Sequence, residues 1–123
     1  MEKLYKILYI DDEEDLLLLV SGFFRDECLP IDTCLGTDQA LEMIKKTKYD
    51  LIISDGQMPS GGGSDFFTYL MQEKLYQGKF ILLTGEANLS HDPNRHSYDK
   101  IILKPFDFIS LLRDVQEVLS SKL

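Results

Sequence analysis

The sequence lacks several features that would define particular classes of protein. It has only two cysteines, Cys28 and Cys34, which are too few for a disulfide framework. We interpret both as small core residues and expect a reducing compartment. No apolar run approaches the length of a membrane span, and Leu16 to Val20 follows acids instead of the positive residues of a secretory segment. We therefore expect a cytoplasmic protein without membrane insertion.

Positive charge is also scarce. The chain has 13 lysines and arginines against 21 acids, which gives a formal net charge of -8 over 123 residues. This balance argues against direct binding of nucleic acid or an anionic membrane, because both are themselves negative. It is compatible with a basic protein partner or a divalent cation. The apolar content of 44% and the charged content of 28% are typical of a globular domain.

Two common catalytic signatures are missing as well. The chain has no GxxxxGK[ST] nucleotide loop, and no Ser-His-Asp constellation is evident. His91 and His96 are five residues apart in a polar stretch, and this spacing is more typical of a solvated surface segment than of a metal site.

Short apolar runs alternate with amphipathic ones along the whole chain, which predicts a parallel sheet covered by helices on both faces. The predicted strands are Leu4 to Ile10, Ile31 to Leu35, Tyr49 to Ser54, Phe80 to Leu83 and Ile101 to Leu103. The predicted helices carry apolar residues at helical spacing: Leu16, Leu19, Val20 and Phe23; Ala40, Leu41 and Ile44; Phe67, Leu70, Met71 and Leu75; and Phe108, Leu111, Leu112, Val115 and Leu119. Thr37, Ser64 or Asp65, and Asp107 are the predicted helix caps.

The fourth helix is the weak element of this pattern. Residues 86–97 contain Pro93, two histidines and few apolar side chains, so a helix there is expected to be short or absent. We predict a single (βα)5 doubly wound domain over residues 1–123, a flavodoxin-like α/β fold, with no output domain in this chain.

Reactive side chains follow four of the five predicted strands. Asp11 and Asp12 follow the first strand, Asp55 the third, Thr84 the fourth and Lys104 the fifth. In an open parallel sheet, ligands bind at the carboxyl ends of the strands, so these side chains are expected to converge at one edge. Each has a structural explanation when taken alone, such as a helix start or a turn, and it is the conjunction that indicates a site.

Carboxylates packed together at that edge repel one another unless a cation joins them. Mg²⁺ prefers oxygen ligands and often shares its coordination shell with phosphate oxygens. Asp55 is then a candidate nucleophile that forms an acyl phosphate, while Lys104 and the Thr84 hydroxyl contact the phosphoryl oxygens. The sequence therefore predicts a Mg²⁺-dependent phosphoryl-transfer site.

Four short segments contain the candidate site residues: Tyr9-Ile10-Asp11-Asp12, Ser54-Asp55-Gly56-Gln57-Met58-Pro59, Leu83-Thr84-Gly85 and Lys104-Pro105-Phe106. In this order and spacing they resemble the receiver domains of two-component response regulators, and the resemblance covers the whole chain. Gly63 also falls where that family usually has a loop glycine.

The resemblance implies a role for each matching residue. Asp55 would be the phosphoacceptor, and Mg²⁺ would be bound by Asp11, Asp12, Asp55 and the backbone carbonyl of Gln57. Thr84 and Lys104 would contact the phosphoryl group, and the bond before Pro105 would be cis. The implied partners are a histidine kinase or histidine phosphotransfer protein upstream and a downstream protein or output domain. Such a domain catalyses only its own phosphorylation and dephosphorylation.

The chain also departs from the family pattern. Ile101 stands where the family usually has a tyrosine or phenylalanine, and the nearest upstream aromatic residue is Tyr98. This departure, with the weak fourth helix, keeps open the alternative of a pseudo-receiver that binds proteins without being phosphorylated. A flavodoxin-like cofactor binder is the other alternative, but the acids at Asp11 to Asp15 replace the Ser/Thr/Gly-rich anion loop that a flavin phosphate would need.

Overall fold

The computed structural model describes residues 4–58 and 61–121. These residues form one parallel sheet of five strands in the order β2-β1-β3-β4-β5, with four helices packed around it. The elements in chain order are β1 (Ile7–Ile10), α1 (Glu14–Asp26), β2 (Asp32–Cys34), α2 (Thr37–Lys46), β3 (Leu51–Asp55), α3 (Gly63–Gln72), β4 (Lys79–Thr84), β5 (Lys100–Leu103) and α4 (Phe108–Ser120).

Two hydrophobic clusters, one on each face, hold the sheet between its helices. Successive side chains of a strand point to opposite faces, so Ile7 and Tyr9 join the cluster under α1 and α4, whereas Leu8 and Ile10 join the one under α2 and α3. All four residues of β1 are buried. This explains why the strands appear as unbroken apolar runs in the sequence.

The five predicted strands are confirmed, but some details of the helices were wrong. On α1 the buried residues are Leu17, Val20 and Phe24, whereas Leu19 is 61% exposed. Five consecutive apolar residues, 16 to 20, let the helical period fit more than one face, so the period alone could not choose the buried one. On α3, Met71 is exposed although the pattern predicts it to be buried. Apolar residues at 66, 67, 69, 70 and 71 also fit more than one face of a helix.

Two of the predicted caps were also wrong. Gly36 and Gly62 precede α2 and α3 as capping residues, and neither helix has a side-chain cap. Asp107 does cap α4, where its carboxylate accepts a hydrogen bond from the backbone N–H of Ile109 at 2.9 Å. Of the two free cysteines, Cys34 is buried as predicted, but Cys28 is exposed because it follows the end of α1 at the surface.

The predicted weakness of the fourth helix is confirmed, since residues 85–99 contain turns but no helix. Tyr98 covers part of the sheet in this region. Its ring stacks on Phe80 with a centroid separation of 5.7 Å and meets the edge of Phe67 at 5.0 Å. An aromatic side chain from the loop therefore contributes apolar surface to the cluster under α2 and α3.

A buried carboxylate anchors the same segment to α3. Asp92 accepts hydrogen bonds from the Ser64 hydroxyl at 2.7 Å, the Asn94 backbone N–H at 2.8 Å and the Tyr98 hydroxyl at 2.8 Å. Burial opposes ionisation of Asp92, but these bonds outweigh it and hold its pKa below the ordinary value. Specific polar contacts thus fix a loop whose composition does not favour a helix.

We predict that Asp92→Asn lowers the free energy of unfolding at pH 7 by about 1 to 3 kcal/mol, because it weakens three hydrogen bonds to a charged acceptor. The contribution of an acid with a depressed pKa is present above its unfolded pKa, about 4, and is lost as the pH falls through the folded value. The difference from wild type in urea unfolding should therefore shrink in acid. Asp26→Asn, at an exposed carboxylate on α1, is the control; equal effects of the two variants would contradict the role of Asp92.

Close approach of the backbone requires a glycine at the start of α3. A Cβ atom at Gly63 would lie 2.7 Å from the backbone oxygen of Asp55 and 2.8 Å from Cδ1 of Leu82. At Gly22 on α1, the nearest atom to an added Cβ is 3.7 Å away, at the flexible end of Arg25.

We predict opposite effects of alanine at these two glycines. Gly63→Ala should lower the free energy of unfolding by about 1 to 3 kcal/mol, because the added methyl group forces α3 away from β3 and β4. Gly22→Ala should raise it by about 0.5 to 1 kcal/mol, since alanine is the better helix former. Chemical denaturation of the two variants beside wild type measures both values, and a neutral Gly63→Ala would contradict the close packing.

Candidate functional site

Parallel strands bring the predicted site residues to one edge of the sheet. β1 and β3 are neighbours in register, with Ile10 paired to Ser54, so Asp11 and Asp55 follow at the same level. β4 ends at Thr84 beside β3, and β5 runs into Lys104. The convergence that the sequence predicts is therefore present in the fold.

Three carboxylates form the centre of this edge. Asp11, Asp12 and Asp55 each offer an oxygen, and these atoms all lie within 4.8 Å of one another. Asp11 and Asp55 are buried, whereas Asp12 is exposed. Hard oxygen donors at this spacing fit a divalent cation such as Mg²⁺, which keeps part of its shell for waters and phosphate oxygens.

Lys104 is the cation that faces these acids. Its Nζ lies 3.0 Å from Oδ2 of Asp11, 3.4 Å from Oδ2 of Asp55 and 3.1 Å from Oε1 of Glu13. Burial opposes the charge on Lys104, but the hydrogen bonds to Asp11 and Glu13 outweigh this effect and raise its pKa. One ammonium thus contacts three carboxylates, which leaves an excess of negative charge.

Asp11 makes two further contacts that the sequence did not predict. The buried Tyr9 hydroxyl donates to Oδ2 of Asp11 at 2.9 Å, and the Glu13 backbone N–H donates to Oδ1 at 3.0 Å. Burial, together with the charge of Asp11, raises the pKa of Tyr9, so the hydroxyl remains a donor. Tyr9 and Asp11 are two residues apart, a spacing that favours the same face of an extended chain, but it does not by itself show that the hydroxyl reaches the carboxylate.

The environment of Asp55 raises the pKa of its carboxyl group. Burial and the neighbouring charge of Asp11 raise its pKa to about 6, against the hydrogen bond from the Gln57 backbone N–H at 3.3 Å and the attraction of Lys104. Asp55 therefore ionises less readily than an ordinary aspartate when no further cation neutralises the cluster. Perturbation of this kind, in a cluster at the edge of the sheet, is typical of functional sites.

Thr84 and Gln57 belong to a second group of contacts beside the carboxylates. The buried Thr84 hydroxyl accepts a hydrogen bond from the Glu86 backbone N–H at 3.1 Å, and the Gln57 side chain donates to the Glu86 carboxylate. These residues line a cavity of about 300 Å³ next to the carboxylates. The backbone carbonyl of Thr84 accepts from the Lys104 N–H at 2.8 Å, which joins β4 to the loop that carries the lysine.

The predictions about Pro105, Ile101 and the two histidines are compared with the structure next to the site. The Lys104–Pro105 bond is cis, as the family resemblance implies. Ile101 is partly buried, and the aromatic contacts nearby come from Tyr98 in the loop. His91 and His96 are both exposed. Across residues 4–58 and 61–121, the only group of acids, histidines or cysteines with metal-ligand spacing is the Asp11, Asp12 and Asp55 cluster.

In the same ranges, no helix has the length and apolar character needed to cross a membrane.

Comparison with known proteins assigns the chain to a family. The family model for the response regulator receiver domain matches residues 7–116. The response regulator ArlR of Staphylococcus aureus is 27% identical over 116 residues, which cover 93% of this chain and 52% of ArlR. The hybrid signal transduction histidine kinase B of Dictyostelium discoideum is 26% identical over 119 residues, which cover 97% of this chain and 6% of the kinase. The chain thus spans about half of ArlR and a small part of the kinase.

Solved structures agree with this assignment. The chemotaxis response regulator CheY4 of Vibrio cholerae has a TM-score of 0.84 and 26% identity, covering 94% of this chain and 99% of its own. The response regulator TrrA of Thermotoga maritima, in complex with Mg²⁺-BeF, has a TM-score of 0.81 and 29% identity, covering 93% and 98%. TrrA also has a structure in complex with the histidine kinase ThkA, with a TM-score of 0.81, 30% identity and coverage of 94% and 99%. This chain belongs to the receiver domains of two-component response regulators, as its match to the family model shows, and its five-stranded parallel sheet with an acidic edge agrees with this assignment.

Proposed function

We propose that this domain accepts a phosphoryl group on Asp55 from a phosphohistidine of a histidine kinase or phosphotransfer protein, with Mg²⁺ as cofactor. The observation that carries the proposal is the placement of Asp55 between two carboxylates and Lys104 at the edge of the sheet. The similarity to TrrA, a response regulator in complex with Mg²⁺-BeF and with a histidine kinase, supports the same cofactor and partner here.

Each residue of the site has a part in this reaction. An oxygen of the Asp55 carboxylate attacks phosphorus, the bond between phosphorus and the histidine nitrogen breaks, and that nitrogen keeps the electron pair. Lys104 contacts both Asp55 and Asp11, so it is placed to pair with a phosphoryl oxygen as charge builds up there. Asp11, Asp12, Asp55 and the backbone carbonyl of Gln57 would hold Mg²⁺, which supplies charge neutralisation for the phosphoryl oxygens.

Thr84 connects the carboxylate cluster with the loop of residues 85–99. Its hydroxyl accepts a hydrogen bond from Glu86, at the start of the loop that leads to Asp92 and Tyr98. If the Thr84 side chain moves so that its hydroxyl donates to a phosphoryl oxygen on Asp55, the distance from its oxygen to the Glu86 N–H changes, and this alters the start of the loop. We therefore infer that residues 85–99 form part of the surface that a downstream protein or output domain reads.

We predict that acetyl phosphate with Mg²⁺ adds the mass of one phosphoryl group to the wild-type protein, measured by intact-mass spectrometry. Asp55→Asn should show no gain, because an amide does not form the acyl phosphate, and a chelator should abolish the gain in wild type. A gain that persists in Asp55→Asn would place the acceptor elsewhere. No gain from small donors or from histidine kinases, in a folded protein, would favour a pseudo-receiver that only binds partners.

We also predict that Asp55→Asn raises stability in metal-free buffer at neutral pH. The pKa of Asp55 is raised in the fold to about 6, so wild type loses stability as the pH rises from about 4 through that value, whereas the amide carries no charge. The variant should be more stable by about 1 to 3 kcal/mol at pH 7.5 and nearly equal to wild type at pH 4, in urea unfolding at both pH values.

Added Mg²⁺ provides the control for this comparison. The cation should stabilise wild type, because it binds the folded carboxylate cluster, and should stabilise the Asp55→Asn variant less. A variant that is no more stable than wild type at pH 7.5 would contradict the charge repulsion inferred for the site.

A further inference from the structure

The opposite edge of the sheet carries a concentration of positive charge. The loop from α2 into β3 and the loop from α3 into β4 border a groove of about 490 Å³ at the amino ends of these strands. We call it the lysine groove. Its four lysines, all exposed, are Lys45, Lys46, Lys48 and Lys74.

These lysines are not neutralised by neighbouring acids. None of the four forms an ion pair in the described parts of the chain, whereas Lys79, Lys100 and Lys104 each do. The acid that lines the groove is Asp50, and its carboxylate already accepts a hydrogen bond from the Lys6 backbone N–H at 2.8 Å. The groove is therefore a positive surface on a chain whose formal net charge is -8.

Helix ends explain only part of this charge. Lys45 and Lys46 lie in the last turn of α2, where cations are favourable at the negative end of the helix dipole. Lys48 lies beyond the end of α2, and Lys74 lies beyond the end of α3.

Lys74 also has an unusual backbone conformation. Its φ is 55°, in the left-handed region, and the N–H of the next residue, Leu75, donates to the Leu70 carbonyl at 3.0 Å. Glycine is the usual residue at this position after a helix because it adopts the conformation without strain. A lysine here costs stability that its side chain does not recover through any ion pair in the described chain.

We propose that the lysine groove is a docking surface for an acidic segment of a partner protein. Carboxylates of that segment would contact the lysine ammoniums, and an apolar side chain between them would pack on the half-buried Leu75 at the groove wall. The surface lies at the amino end of the sheet, away from Asp55, so the proposal is independent of phosphorylation.

Other anions fit this groove less well. The carboxyl-terminal ends of α2 and α3 lie beside it, and their partial negative charge disfavours a compact phosphate, which binds best at a helix amino terminus. Nucleic acid would be repelled by the remaining surface of a chain with a net charge of -8. An extended peptide can spread its carboxylates over the ends of four flexible side chains, beyond the helix ends.

Fluorescence anisotropy tests the proposal with a labelled peptide in which Asp and Glu alternate with Leu, at low salt. The double variant Lys48→Glu/Lys74→Glu should weaken binding about tenfold, because each exposed ion pair contributes a modest free energy of binding and the two contributions add. Arg25→Glu/Arg113→Glu is the matched control, since it changes the net charge equally at exposed positions outside the groove. It should change binding less than about twofold.

Two substitutions by glycine distinguish an effect on peptide binding from an effect on stability. Lys74→Gly should raise stability, because it relieves the left-handed backbone, and yet weaken peptide binding. Cys28→Gly should raise stability in the same way without changing binding, since Cys28 has a φ of 61° and lies outside the groove. Opposite effects of Lys74→Gly on stability and binding are not expected of a residue with only a structural role.

Several results would overturn the proposal. These are no binding of the peptide by wild type, equal weakening by the two double variants, or unchanged binding by Lys74→Gly. Tighter binding of duplex DNA or inorganic phosphate than of the peptide would show that the ligand class is wrong. Equal binding of a peptide with Asn and Gln in place of the acids would show that charge is not recognised.

Discussion

Repulsion among three carboxylates, held together by one edge of a parallel sheet, is the constraint around which this domain is arranged. Asp11 and Asp55 are buried within reach of Asp12, and Lys104 supplies a single positive charge between them. Such a cluster is unfavourable as a purely structural feature, since the pKa of Asp55 is raised to about 6. It becomes favourable when a divalent cation joins the oxygens, and this links the stability of the fold to its proposed chemistry.

The rest of the structure serves to hold that edge in place. Buried strands with two apolar faces fix the register of β1 against β3, and Gly63 lets α3 approach the end of β3 closely. On the other side of β4, a polar network replaces a helix: Asp92 binds Ser64 on α3 and the Tyr98 hydroxyl. Asp92 follows Thr84 by eight residues, so the loop that this network holds begins directly at the end of β4.

Sequence reasoning identified the features that depend on strand order and residue type. Apolar runs followed by Asp55, Thr84 and Lys104 were enough to predict a parallel sheet with a site at its carboxyl edge, because strand ends in such a sheet coincide. It did not find the contact of Tyr9 with Asp11 or that of Glu13 with Lys104, which depend on side-chain direction. It also failed to choose the buried face of α1, where consecutive leucines fit several faces equally well.

Chemical identification of the acceptor residue tests the central claim most directly. After incubation with Mg²⁺ and a phosphodonor, borohydride reduces an acyl phosphate to an alcohol, so a phosphorylated aspartate becomes homoserine, which peptide mapping locates. The account predicts homoserine at position 55 and unmodified aspartate at Asp11 and Asp12, because Asp55 is the proposed nucleophile and the other two are proposed to hold the cation. Homoserine at Asp11 or Asp12, or none at position 55 in a protein that has gained a phosphoryl group, would contradict it.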